Sequence, residues 1–204
     1  MLQHMPTPRS RVLEVGCGRG QLAQALAAAG HRVVAIDPEA PEGAIFRRVT
    51  LEEFSDEESF DAVVASRSLH HVHDLARGLD RLAELLRPAG ILVVNEHAFD
   101  RLDERTARWH LSHAADPAVP GSPESFLRWW NDTHEGLHGY ETMRAELDQR
   151  FEQRFFAWGP YLYEELERVE PAEEMRLIEA GEIQATGFRF VGELRPSSPG
   201  ARHS

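Results

Sequence analysis

The residues best suited to chemistry sit early, in Val-Leu-Glu-Val-Gly-Cys-Gly-Arg-Gly from Val12 to Gly20. Glycines at 16, 18 and 20 let a backbone turn tightly and approach a ligand closely. Glu14 places a carboxylate just before that turn. Asp37 places a second one about 20 residues past the first glycine, where a carboxylate can accept from both hydroxyls of a ribose. The spacing is G-x-G-x-G, which differs from the dinucleotide fingerprint G-x-G-x-x-G. Eleven histidines supply candidate proton carriers near neutral pH.

Those residues need elements to hold them. Arg11 to Val15 is apolar, β-rich and short, as a buried strand is. Gln21 to Ala29 has helical periodicity, and Gly30 stands where a helix C′ glycine belongs. A helix start just past the glycines aims free N–H groups at a ligand. Arg32 to Ile36 reads as a second strand ending on Asp37.

Further strands are predicted at Ile45 to Val49, Phe60 to Ser66 and Ile91 to Val94, with an amphipathic helix from Asp74 to Leu86. Five βα units alternating to about residue 99 predict a parallel, doubly wound, Rossmann-like α/β sheet, and two later strands bring the expected sheet to seven strands, mostly parallel. Ligands in such sheets bind outside the C-terminal strand ends. Glu14, Asp37, Thr50, Ser66 and Asn95 all fall on that edge.

Beyond it, a helix is read at Gly139 to Leu147, a sixth strand at Phe151 to Trp158, a helix at Tyr161 to Ala180 and a seventh strand at Gly187 to Leu194. The run from Glu164 to Glu174 reads as a solvated acidic face. Trp129 and Trp130 are adjacent, so on a helix they diverge by about 100° and read as core of the segment they sit in. Cys17 reads as a small spacer.

With Glu14 before it, the string E-V-G-C-G-R-G resembles motif I of the class I S-adenosylmethionine-dependent methyltransferases. Phe60-Asp61 followed by apolar residues, and Leu86-Arg87-Pro88-x-Gly90, are also similar to that family. The resemblance covers about residues 11 to 99; two departures stand out. Asp37 to Gly43 is rich in proline and glycine where relatives carry a helix, and Thr50 stands where relatives often have Asp.

The resemblance implies methyl transfer from S-adenosylmethionine to a small-molecule oxygen, nitrogen or carbon acceptor, leaving S-adenosylhomocysteine. It places Glu14 near the cofactor's amino group, Gly16, Cys17, Gly18 and Gly20 along its methionine portion and Asp37 on the ribose. Pro38, Thr50 and Leu51 would flank the adenine, while Ser66, Arg67 and His71 close the sulfonium end. Thr50 and Glu53 also fit a capping box, a role compatible with the first.

It further implies a helical insertion at residues 100–138 that covers the substrate. The expected organisation is an extended lead-in over 1–10, one domain over 11–195 and a flexible tail over 196–204. Relatives cover the cofactor with an N-terminal helix that this chain is too short to match in full, so part of the cover would come from elsewhere, such as a partner subunit.

The family requires no particular catalytic residue. If a base is used, His134 and His138 come first, then His97 and then His71. His70-His71-x-His73 suits no tetrahedral metal site on one element, and no acid precedes Asp74 in that loop, so no metal is expected.

The net charge of −12 argues against nucleic acid or an anionic membrane as partner. All 22 basic residues are arginine, which excludes a Schiff base and a Walker A loop. One cysteine excludes an intrachain disulfide. A cytoplasmic monomer or homodimer is expected. Two alternatives stay open: a non-catalytic S-adenosylmethionine-binding subunit, and a nicotinamide-dependent oxidoreductase, which would want the other glycine spacing and a Tyr-Lys proton donor.

Overall fold

The computed structural model describes residues 4–7 and 9–196. Of the expected lead-in, residues 1–3 and 8 lie outside the described residues, as does the expected tail apart from Pro196.

Seven strands form one sheet in the order β3-β2-β1-β4-β5-β7-β6. β1 (Arg11–Val15) lies between β2 (Arg32–Ile36) and β4 (Phe60–Ser66), and β5 (Leu86–His97) extends the parallel run. β7 (Gly187–Leu194) runs antiparallel between β5 and β6 (Phe151–Gly159). The mostly parallel doubly wound sheet read from the sequence is thus present.

Strand alternation sends successive side chains of β1 to opposite faces. Leu13 and Val15 join one core, which α2 (Leu75–Leu85) and α5 (Tyr140–Arg150) cover with Leu79, Leu82, Met143 and Leu147. Val12 joins the other, which α1 (Gln21–Ala28) covers with Ala23 and Leu26. Asp74 caps α2 by accepting from the Arg77 amide at 3.0 Å.

Three boundaries differ from the sequence reading. β3 is only Phe46–Arg47, because the turns through Pro38, Pro41 and Gly43 leave little extended chain to pair. β5 begins at Leu86, directly after α2. Phe60 faces Leu86 while Ala62 faces Ile91, so Arg87 to Gly90 bulge from the ladder around Ala89 at φ 59°.

The third is the expected helix from Tyr161 to Ala180, which is two pieces. A 3₁₀ turn spans Leu162–Glu165, and α6 (Pro171–Glu179) starts afresh. Pro171 has no N–H and fits only a helix's first turn, so the chain must break before it.

The acidic run is not simply a solvated face either. Glu174 is fully buried, and its carboxylate accepts from the amides of Tyr161, Leu162 and Tyr163 at 2.8–3.1 Å. Burial raises its pKa, and those three amides oppose the rise.

Between β5 and β6, α3 (Glu104–His113) and α4 (Pro123–Thr133) form a small separate layer. Asp103 and Ser122 cap them. Ala107, Phe126, Trp130 and Leu162 are its core, and Trp130 Nε1 donates to the Phe99 carbonyl at 3.0 Å. Trp129 points away and is 36% exposed, so the two tryptophans diverge as helix geometry requires. Among the described residues no helix is long and apolar enough to cross a membrane.

Replacing Glu174 by Ala strands three amides around a buried hole. Urea unfolding should show a loss of about 2–4 kcal/mol, with Glu174→Gln losing less because one oxygen still accepts.

Candidate functional site

β2, β1 and β4 end side by side in parallel register, so the loops after them converge on one sheet edge. A cleft of about 1100 Å³ opens there. The glycine loop is fastened to the tip of β2. The Gly16 and Cys17 amides donate to the Ile36 carbonyl at 2.9 and 3.1 Å. The Gly18 amide donates to Asp37 Oδ2 at 2.9 Å, and the Glu39 amide to Oδ1 at 2.8 Å.

Gly16 has φ 71°, and a Cβ there would stand 2.3 Å from Ser68 Cβ. Two loops therefore meet where only glycine fits.

Glu14 is 3% exposed, and its Oε2 is buried without a hydrogen-bond partner. Burial pushes its carboxyl up to about 7, the Ala23 amide offsets part of that rise, and Asp37 adds to it. Burial, together with Glu14 and Asp37, pushes the Cys17 thiol up to about 12, so this cysteine is a spacer with little thiolate character.

Glu14, Gly16, Cys17 and Gly18 line the cleft, and so do Asp37 and Pro38. Thr50 and Leu51 line it from the β3 side; Ser66, Arg67 and His71 line it from the β4 loop. Gly20 is not on the lining: at φ 80° it caps α1, and a Cβ there would lie 2.5 Å from the Phe46 ring. The Glu53 amide donates to Thr50 Oγ1 and the Thr50 hydroxyl to Glu53 Oε2, each at 3.3 Å, so only half of the expected capping box forms, over a turn and not a helix. Arg67 holds a left-handed φ of 56° while its guanidinium bonds Glu164 at 2.7 Å.

The favoured histidines lie elsewhere. His134, His138 and His97 are not on the cleft lining. His138 Nε2 bonds the Val72 carbonyl at 2.7 Å, and His134 Nδ1 bonds the Trp130 carbonyl at 2.7 Å. His97 is buried and stacks on Tyr161 at 3.8 Å, with His134 5.3 Å away. Burial drives its pKa down to about 2, with His134 and His70 adding to the effect, so it carries no charge near neutrality.

Glu96 and His70 shape the cleft and were not picked out as site residues from sequence, whereas Tyr161, able to edge the pocket, reads there first as packing. Glu96, 1% exposed, accepts from the Ser68 and Leu69 amides through Oε1 at 2.6 and 2.7 Å. Its Oε2 meets His70 Nδ1 at 2.6 Å, and His70 lines the cleft. Tyr161 lines it as well, on the backbone that Glu174 clamps. A glutamate two residues past the apolar run Ile91 to Val94 was the available signal, since buried charge is rare without a partner.

A mostly parallel α/β sheet with this glycine turn and Asp37 at its C-terminal edge is the doubly wound architecture. The chain belongs to the methyltransferase domain family, whose pattern it matches over residues 3–156. It is 36% identical over 97 residues to a ubiquinone biosynthesis O-methyltransferase of Rhodopseudomonas palustris. That match covers 41% of this chain and 38% of the relative.

In fold it resembles an S-adenosylmethionine-dependent methyltransferase from Mesorhizobium loti, with TM-score 0.61, 16% identity and 94% of both chains covered. It also resembles the N-methyltransferase NodS of Bradyrhizobium japonicum in complex with S-adenosylhomocysteine. There the TM-score is 0.52 and the identity 16%, over 94% of this chain and 80% of that one.

Glu14 in the folded protein keeps a proton that the unfolded chain releases near 4.5. Stability therefore falls as pH rises from about 4.5 through 7. At pH 8 Glu14→Gln should stabilise the ligand-free protein by about 1–3 kcal/mol, a gain that disappears near pH 4. Thermal unfolding at the two pH values measures it.

Proposed function

We propose that the protein binds S-adenosylmethionine in this cleft and transfers its methyl group to a small-molecule acceptor. The chief support is the orphaned Glu14 Oε2: a buried carboxyl oxygen with no partner suits a cationic ligand group. The cofactor's ammonium is such a group. Asp37 would hold the ribose hydroxyls, since each of its oxygens has one amide donor and a carboxylate oxygen accepts more than one. Thr50 and Leu51 would border the adenine, and the turn over Ser66 and Arg67 the sulfonium.

S-adenosylmethionine supplies a methyl group already activated on sulfur. The protein's own task is then mainly to hold two partners in line, which can supply about 7–11 kcal/mol. The insertion at 100–138, packed on Leu162 next to Tyr161, would cover the acceptor. The net charge of −12 suits a dissolved acceptor that is not itself strongly anionic, and we place the reaction in the cytoplasm.

Calorimetry with S-adenosylmethionine, S-adenosylhomocysteine and NAD tests the cofactor. The first two should bind and NAD should not; the reverse would favour the oxidoreductase reading. Asp37→Ala should lose affinity by about tenfold or more, as two hydrogen bonds to a charged group disappear. Undiminished affinity would overturn the assignment.

Affinity should also depend on pH. Below about 7 the Glu14 carboxyl is protonated in the free protein and must lose that proton to pair with an ammonium. Binding should weaken by up to about tenfold for each pH unit below 7 and level off above it. Glu14→Gln should flatten that profile.

A further inference from the structure

Four imidazoles cluster where the cleft meets the end of β5 and the turn after α4, with a fifth, His73, also on the cleft lining, and one of the four differs from the rest. His70 and His71 occupy the turn after β4, His97 ends β5 and His134 follows α4. The His70 ring centre lies 4.1 Å from that of His71 and 6.5 Å from that of His97. Of the three from β4 and β5, His97 is too weakly basic to take a proton near neutrality, and burial lowers His71 as well. Among the four, only His70 is bonded to a carboxylate: Glu96 Oε2, at 2.6 Å from Nδ1.

That carboxylate is fixed from several sides. Ser68 and Leu69 donate to Oε1, and the His97 amide donates to Oε2 at 3.2 Å. Glu96 therefore cannot swing away without stranding buried amides. A carboxylate only accepts, so the neutral His70 ring must carry its proton on Nδ1. Nε2 is left with a lone pair, on a side chain that lines the cleft. A histidine so oriented by a buried acid is the arrangement general bases use.

We infer that His70 is the general base of this cleft, that Glu96 is its positioning residue, and that the acceptor is a phenolic hydroxyl. This presupposes the methyl-transfer function proposed above. The acceptor oxygen forms the new bond to the methyl carbon, the carbon–sulfur bond breaks with its electron pair left on sulfur, and the hydroxyl proton goes to His70 Nε2. The resulting imidazolium is paired with Glu96. An imidazole is a base of moderate strength, matched to a phenol far better than to an aliphatic alcohol. A carboxylate acceptor would need no base at all. Tyr161 stands at the same part of the cleft, kept as a neutral phenol by burial, which pushes its pKa up.

Two measurements test the pair without knowledge of the natural acceptor. Nitrogen NMR of the ligand-free protein labelled in histidine should show His70 protonated on Nδ1. Glu96→Gln should move that proton to Nε2, because an amide NH2 now faces Nδ1. A merely structural Glu96 would leave the tautomer unchanged.

In the second, 4-nitrophenol is titrated into the protein saturated with S-adenosylhomocysteine, at a pH where the free phenol is mostly protonated. The wild type should bind it with appearance of the phenolate absorbance. His70→Asn should lower the ionised fraction about tenfold or more, the scale of a lost general base. No binding by the wild type, no phenolate band, or an undiminished band in His70→Asn would each overturn the inference. Failure of the wild type to bind S-adenosylhomocysteine in calorimetry would instead strike the underlying function.

Discussion

A carboxylate removed from water must be paired, hydrogen-bonded or protonated. Three glutamates meet that constraint in this protein, each differently. Glu174 is satisfied by three consecutive amides and fixes the backbone that carries Tyr161. Glu96 is satisfied by three amides and an imidazole and fixes the turn from Ser68 to His70. Glu14 has one buried oxygen with no donor and a carboxyl raised to about 7. The first two are closed accounts of structure. The third lacks what a ligand can bring, and it sits at the glycine turn.

The rest of the site follows from how the sheet positions these groups. Parallel β2, β1 and β4 deliver three loops to one edge. Asp37 ties the glycine turn to the end of β2, and Gly16 allows that turn to touch the β4 loop at Ser68. The left-handed backbone at Arg67 puts local strain on this edge, where functional sites tend to hold it. The α3–α4 layer stands apart on its own aromatic core.

Much of this was legible in the sequence because local patterns fixed it. β1, β2, β4 and β7 fall where their apolar runs placed them, and Asp37 reaches the cleft because strand length sets where β2 ends. Other features depend on contacts remote in sequence. The histidine ranking looked to the insertion, yet on the cleft lining the ring hydrogen-bonded to a carboxylate is His70, whose partner lies 26 residues away on another strand. Glu174 read as solvated because acidic runs usually are, and only the fold brings it to the Tyr161 turn. The break before Pro171 was written in the sequence, and helical periodicity on both sides masked it.

The most direct test of the account is a crystal structure of the protein soaked with S-adenosylhomocysteine. The account predicts that the ligand's amino group lies within hydrogen-bond distance of Glu14 and its ribose hydroxyls against Asp37. Density for the ligand elsewhere, or in this cleft with its amino group turned away from Glu14, would contradict it.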